Sequence, residues 1–132
     1  MNPRFPLYIV SKGRAESRLT SRALERMDVP YKIVIEEQEF DEYAKHINVS
    51  KILVLDKQYQ ADYDTFDDLE ETKSKGPGPA RNFVWQHSID NGFDWHWVMD
   101  DNIRSFNRLN NNLKIEVLNG ALFAAMEDFC LR

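Results

Sequence analysis

Cysteine is nearly absent from this chain, in which Cys130 is the only one among 132 residues. A single cysteine excludes an intrachain disulfide and a zinc site built from several cysteines. Low cysteine usage is typical of reducing compartments, and we therefore expect a cytoplasmic protein.

Long hydrophobic runs are also lacking. The uncharged apolar stretch at residues 52–55 is far shorter than the ~20 residues of a membrane-spanning helix. Residues 1–6 have no apolar core of the length that a signal peptide needs. The sequence thus predicts neither a membrane-spanning segment nor a membrane partner.

Positive charge is in deficit, because 17 Lys and Arg face 22 Asp and Glu and give a net charge of −5. A protein that follows nucleic-acid phosphates over its whole surface is therefore not expected, and any nucleic acid would have to contact a local basic patch. The chain is 42% hydrophobic and 30% charged, which is typical of a globular protein. Its length predicts one domain over residues 1–132.

Short apolar runs alternate with segments of helical periodicity. The apolar runs predict four strands, at residues 7–10, 31–35, 51–55 and 95–99. Apolar spacing of three and four predicts three helices between them, at residues 15–28, 40–47 and 79–91. This order predicts an α/β fold with a mostly parallel sheet and helices on both faces. A further strand is predicted at residues 113–117 and a helix at residues 121–129.

Residues 56–75 differ from the rest of the chain. They contain seven Asp or Glu, little apolar periodicity, and end before the sequence Gly-Pro-Gly-Pro. A polar loop of this length in a compact domain is commonly functional, and we expect it to be mobile without ligand. Four large aromatic residues elsewhere are expected in the core rather than as stacking platforms: Phe83, Trp85, Trp95 and Trp97.

The most specific chemical feature is the sequence Asp100-Asp101-Asn102, directly after a predicted buried strand. Ligands bind outside the carboxyl ends of the strands in such sheets. Adjacent carboxylates there are hard oxygen ligands, which Mg²⁺ and Mn²⁺ prefer and share with substrate phosphates. The alternative is that Asp101 or Asn102 caps a short helix that follows.

Two basic segments could bind phosphate. After the first strand, Lys12 and Arg14 combine positive charge with the backbone N–H groups of a loop, although the segment lacks P-loop spacing and could be an ordinary turn. Arg81 lies in the first turn of a predicted helix, where its charge opposes the helix dipole. Contact with a diphosphate or a carboxylate would explain that position, and so would an Arg that covers apolar surface.

Three segments in this order, residues 6–14, 76–82 and 98–102, together resemble glycosyltransferases of the GT-A fold, which is Rossmann-like. They are most similar to the TET/JBP-associated glycosyltransferase group of phages and their relatives. The resemblance covers about residues 6–117. It implies a metal-dependent enzyme that takes a nucleotide-sugar, such as a UDP-sugar, and glycosylates hydroxymethylated pyrimidines in phage DNA within the bacterial cytoplasm.

The resemblance also implies roles for individual residues. It assigns Mn²⁺ or Mg²⁺ binding to Asp100, Asp101 and Asn102, and the nucleotide ribose or diphosphate to Asp100 as well. Ser11, Lys12 and Arg14 match the loop that lines the nucleotide base pocket, and Arg81 matches a position near the nucleotide.

The chain departs from the resemblance in its length. A complete catalytic domain of this kind is about twice as long, so we expect the donor half, truncated on its C-terminal side, without an assignable catalytic base. The apolar face of the last predicted helix would then be available for self-association. Two alternatives stay open: a non-catalytic nucleotide-binding or interaction module that retains the fold, and a nucleotidyltransferase.

Overall fold

The computed structural model describes residues 1–63 and 76–132. Its main sheet consists of four short strands: β1 (Leu7–Val10), β2 (Lys32–Ile35), β3 (Ile52–Val54) and β4 (Trp97–Asp100). A separate hairpin consists of β5 (Asn107–Asn110) and β6 (Leu113–Glu116). The helices are α1 (Leu19–Arg26), α2 (Phe40–Ala44), α3 (Lys57–Asp62), α4 (Gly78–Asp90) and α5 (Ala121–Cys130).

All strand pairs of the main sheet are parallel, in the order β3-β2-β1-β4. The most buried strand is β1, in which Ile9 lies between Ile33 and Met99. Alternation along the strands sends Leu7, Ile9 and Ile33 to one face, where they pack with α1, α2 and α5. Tyr8, Val10 and Val34 pack on the other face against Val84 of α4. The predicted α/β architecture, a parallel sheet with helices on both faces, is confirmed.

The first helix is shorter than its apolar spacing predicts. It begins at Leu19 rather than near residue 15, because Arg18 has a left-handed backbone with φ 36°. A left-handed residue cannot continue a right-handed helix. The consequence is a longer loop after β1, and this loop forms part of the site described below.

The segment at residues 56–75 is not wholly a loop. Its first part forms α3, and the side chain of Asp56 accepts a hydrogen bond from the Gln58 amide at the helix start. This is a standard N-cap, which the acidic composition concealed. The prediction of mobility for the remainder, residues 64–75, lies outside the described residues.

Two tryptophans expected in the core are exposed. Trp85 is 62% exposed on the outer side of α4 and Trp95 is 49% exposed before β4, whereas Trp97 packs against Phe123. The expectation for Trp85 was wrong because the inner side of α4 is occupied by Val84 and Ser88.

A buried carboxylate ties the N-terminal segment to α5 and β4. Glu127 accepts hydrogen bonds from the backbone amides of Arg4 and Phe5 and from the indole Nε1 of Trp97, at 2.7–3.1 Å. Phe129 and Leu131, further along the chain, are 75% and 45% exposed. Within the described ranges, no helix has the length and apolar character to cross a bilayer.

Candidate functional site

A cleft of about 810 Å³ lies at the carboxyl ends of the parallel strands. Its walls come from the segments that follow β1, β2 and β4, and its apolar floor from Val10, Val34 and Leu55. The start of α4 closes one side through Pro79 and Ala80. This is where ligands bind in open α/β sheets. The cleft brings together most of the residues singled out from the sequence: Ser11, Lys12, Arg14, Asp100, Asp101 and Asn102.

Asp101 is held by the loop after β1. Its Oδ2 accepts a hydrogen bond of 2.8 Å from Ser11 Oγ, and its Oδ1 lies 3.3 Å from Nη1 of Arg14. The carboxylate is only 13% exposed. Tyr43 of α2 supports the loop, since its hydroxyl accepts a bond from the Arg14 amide and shares one of 2.5 Å with Ser11 Oγ. Burial raises the pKa of Tyr43, so this hydroxyl remains protonated at neutral pH.

Asp100 pairs with Arg81 of α4. The Arg81 Nη2 atom, from the first turn of α4, lies 3.1 Å from Asp100 Oδ1, and both side chains are about half exposed. This carboxylate explains a basic residue at a helix N-terminus, where the helix dipole disfavours it. Arg81 therefore belongs to the site through Asp100.

The backbone of the acidic turn is anchored by Thr20 of α1. Thr20 Oγ1 donates to the carbonyl oxygen of Asp100 at 2.5 Å and accepts from the Ile103 amide at 2.9 Å. The Thr20 side chain is fully buried. Residues 103–106 form no helix, so the alternative that Asp101 or Asn102 caps one is wrong.

Glu36 forms the opposite end of the cleft and was not identified from the sequence. It follows β2 directly, with Lys12 Nζ 3.0 Å from its Oε2 and Gln60 Nε2 donating to its Oε1 at 2.7 Å. Burial raises the pKa of Glu36, but the hydrogen bonds from Lys12 and Gln60 outweigh it and hold the pKa below its usual value. Its position could have identified it, because Glu36 is an acidic residue at the carboxyl end of a predicted strand, where ligands bind in such sheets.

The loop between Lys12 and Arg14 turns at Gly13. Its φ of 67° lies in the left-handed region that glycine adopts without strain. The Gly13 amide donates to Glu39 Oε2 at 2.5 Å, which fixes the loop to the segment after β2. This bond holds the loop at the edge of the cleft, with the side chains of Lys12 and Arg14 59% and 49% exposed.

Among the residues that the structure describes, three cations at the cleft each lie beside a carboxylate: Lys12 beside Glu36, Arg14 beside Asp101, and Arg81 beside Asp100. A bound anion would compete with the aspartates for the arginines, and a bound cation would compete with the arginines for the aspartates. The two kinds of ligand would thus assist each other.

Asp100, Asp101 and Asn102 carry oxygen atoms of the kind that Mg²⁺ and Mn²⁺ prefer as ligands. Among the described residues, no group of three or more His, Cys, Asp and Glu is arranged to hold a metal ion. Two neighbouring carboxylates and the amide of Asn102 nevertheless reach the same cleft. Mg²⁺ in proteins commonly takes one or two carboxylates and completes its shell with phosphate oxygens and water.

Comparison with protein families gives a match over nearly the whole chain. A protein-family model described as TET-Associated Glycosyltransferase matches residues 5–131. Neither a curated protein nor a solved structure matches the chain. The matched range includes β1, α4 and β4, whose ends supply the cleft.

Proposed function

Because the chain belongs to the family of TET-associated glycosyltransferases, we propose that its cleft binds a nucleotide-sugar, in particular a UDP-sugar, and that the sugar is transferred to a hydroxymethylated pyrimidine in phage DNA. The observation that carries the proposal is the convergence of two arginines and two aspartates, from β1, α4 and β4, at the carboxyl edge of the sheet. Cationic side chains and a divalent cation both neutralise the charge of a diphosphate.

The two ends of the cleft suit the two parts of the donor. Arg14 and Arg81 provide planar, bidentate donors for the diphosphate oxygens. Glu36 and Gln60 provide an ionised acceptor and an amide at the other end, suited to ribose hydroxyls or a base edge. The apolar floor between them can contact the flat face of a base.

Asp100 and Asp101 would hold Mn²⁺ or Mg²⁺, with Asn102 beside them. Such an ion, when bound, neutralises charge on the departing diphosphate. In the reaction, the acceptor hydroxyl oxygen forms a bond to the anomeric carbon and its proton passes to solvent, while the bond from that carbon to the diphosphate oxygen breaks. Arg14 and Arg81 stabilise the negative charge that accumulates on the leaving diphosphate.

Calorimetry tests donor binding. We expect UDP and UDP-glucose to bind with Mn²⁺ and to bind far more weakly in EDTA, with UTP no tighter than UDP. Asp100→Asn combined with Asp101→Asn should remove the Mn²⁺ dependence, whereas Asp90→Asn, at the exposed end of α4, should not. Equal binding with and without metal would refute the metal role, and preference for UTP would favour a nucleotidyltransferase.

Transfer of a radiolabelled sugar to DNA that contains hydroxymethylated pyrimidine tests the reaction. We expect incorporation that depends on Mn²⁺ and on Asp100 and Asp101. Donor binding without incorporation would favour a non-catalytic nucleotide-binding module.

A further inference from the structure

A continuous chain of hydrogen bonds beside the cleft ends on one oxygen atom of a carboxylate. The Arg14 amide donates to the Tyr43 hydroxyl at 3.2 Å, and that hydroxyl lies 2.5 Å from Ser11 Oγ. Ser11 Oγ in turn donates to Oδ2 of Asp101 at 2.8 Å. The loop after β1, helix α2 and the turn after β4 are therefore linked through Asp101.

The hydroxyl protons of this chain can be arranged in only one direction. A carboxylate accepts hydrogen bonds and cannot donate them, so Ser11 gives its single hydroxyl proton to Asp101. Ser11 Oγ must then accept from Tyr43, and the Tyr43 oxygen accepts from the Arg14 amide. The Tyr43 hydroxyl thus directs the Ser11 hydroxyl towards Asp101.

The two carboxylate oxygens of Asp101 differ in how firmly their partners are held. Oδ1 lies 3.3 Å from Nη1 of Arg14, at the end of a long side chain that is 49% exposed. Oδ2 is bonded to Ser11, whose amide donates to the Val34 carbonyl oxygen at 3.0 Å and whose hydroxyl is held by the fully buried Tyr43. A cation can therefore displace the guanidinium from Oδ1 more easily than the hydroxyl from Oδ2.

The number of carboxylate oxygens that a site offers affects which cation it binds. Ca²⁺ takes about six to eight oxygen ligands in a flexible geometry and accepts both oxygens of one carboxylate. Mg²⁺ needs near-ideal octahedral geometry at about 2.0–2.1 Å, which one oxygen from each carboxylate satisfies better. A site that offers only one oxygen of Asp101 therefore disfavours Ca²⁺.

We propose that Ser11, held by Tyr43, keeps Oδ2 of Asp101 from binding a cation, so that Asp101 is a one-oxygen ligand and the site selects Mn²⁺ or Mg²⁺ against Ca²⁺. Tyr43 is a positioning residue, because it acts through Ser11 and touches no ligand. This inference deepens the proposed function, on which it rests for the presence of a divalent cation at Asp101.

Binding of Mn²⁺ alone and of Ca²⁺ alone to the full chain tests the inference. Electron paramagnetic resonance measures Mn²⁺ binding, and displacement of Mn²⁺ measures Ca²⁺ binding. In Ser11→Ala both oxygens of Asp101 are available, so we expect Ca²⁺ to bind about tenfold more tightly, because it no longer replaces a hydrogen bond to a charged acceptor. Mn²⁺ affinity should stay close to its wild-type value. Tyr43→Phe should shift the preference in the same direction by a smaller factor, and Ser11→Thr, which keeps the hydroxyl, should retain the wild-type preference.

A second pair of Ser and Tyr hydroxyls, outside the lining of the cleft, provides matched controls. The hydroxyls of Ser21 and Tyr31 lie 2.6 Å apart, and both residues are buried. Ser21→Ala and Tyr31→Phe remove equivalent hydrogen bonds. They should lower the free energy of unfolding, measured with urea, without a change in the ratio of Ca²⁺ affinity to Mn²⁺ affinity.

The inference is wrong if Ser11→Ala weakens both cations equally, as a purely structural role would, if it leaves the affinity ratio unchanged, or if the wild type binds neither cation. If the cation preference responds as expected while UDP does not bind, the roles of Ser11 and Tyr43 stand and the proposed glycosyltransferase site fails. If UDP binds with Mn²⁺ while the preference does not respond, the proposed function stands and this inference fails.

Discussion

The guanidinium Nη1 atom of Arg14 lies 3.3 Å from Oδ1 of Asp101, and this pair joins two groups that the proposed donor site needs for opposite ligands. Arg14 suits the diphosphate and Asp101 suits the cation. Each ligand competes with the pair when it binds alone, whereas both together give each group a partner of opposite charge. Coupling of this kind is reciprocal, so Mn²⁺ should raise the affinity for UDP by the same factor as UDP raises the affinity for Mn²⁺.

Arg14→Gln should have opposite effects on the two ligands. It removes a diphosphate contact, so UDP should bind about tenfold more weakly. It also releases Asp101 from its ion pair, so Mn²⁺ alone should bind more tightly than to the wild type. Calorimetry with each ligand separately measures both effects. Lys45→Gln, an exposed change directly after α2, is the control. A loss of affinity for both ligands would contradict this reciprocal arrangement.

Thr20 should matter to the site without touching a ligand. Thr20→Val keeps the shape of the side chain and removes the hydroxyl that bonds to the Asp100 carbonyl and the Ile103 amide. Loss of bonds to buried polar groups should cost about 1–3 kcal/mol of unfolding free energy. UDP affinity in the presence of Mn²⁺ should fall as the acidic turn loosens. Thr20→Ser restores the hydroxyl, so it should recover most of the unfolding free energy and most of the UDP affinity. Urea unfolding measures the first and calorimetry the second. Failure of this rescue would contradict the anchoring role.

The parallel sheet was predictable from the sequence because its central strands, β1 and β2, are buried on both faces. Runs such as residues 7–10 are then continuously apolar and stand out against the helical segments between them. Of the two hairpin strands, only β6 could be predicted from the sequence. Residues 107–110 are polar apart from Leu109 and never enter the core, so no hydrophobic pattern marks β5. Its signal was the turn at Asn111 and Asn112, which a search for apolar periodicity passes over.

The residues of the cleft that directly follow a strand could be predicted from the sequence. Residues directly after β1 and β4 must meet at one edge of a parallel sheet, so Ser11 and Asp101 could be paired in advance. The contacts of Thr20 and Glu36 could not be predicted from the sequence, because they depend on where α1 begins and how β2 ends. The start of α1 is set by the left-handed backbone of Arg18, which apolar spacing does not report.

Glu36 should determine recognition of the nucleoside. An ionised carboxylate accepts hydrogen bonds and cannot donate them, so it favours a ligand that presents hydroxyl or N–H donors there. We expect the wild type to prefer UDP over 2′,3′-dideoxy-UDP and Glu36→Gln to lose most of that preference. Glu37→Gln alters the exposed neighbour that pairs with Lys57 and should retain it. An unchanged preference in Glu36→Gln would show that Glu36 does not contact the nucleoside.

The last prediction concerns stability and pH at Glu127. Burial raises the pKa of this carboxyl, but hydrogen bonds from the Arg4 amide, the Trp97 indole and the Phe5 amide outweigh it, so its folded-state pKa lies below the usual 4.5. A carboxyl with a lowered pKa stabilises the fold above its unfolded-state pKa, and this stabilisation is lost as the pH falls through the folded-state pKa.

Glu127→Gln should therefore cost about 1.5–3 kcal/mol of unfolding free energy at neutral pH, since bonds to a charged acceptor are lost. The difference from the wild type should shrink below pH 4.5, where the wild-type carboxyl becomes protonated too. Urea unfolding at a series of pH values measures this dependence. Asp128→Asn is the matched control. Asp128 is the next residue in the chain, and its carboxylate pairs with Arg4 at the surface, where an ion pair should contribute under about 1 kcal/mol of unfolding free energy. A cost for Glu127→Gln that is the same at neutral and acidic pH would show that the charge of Glu127 does not contribute.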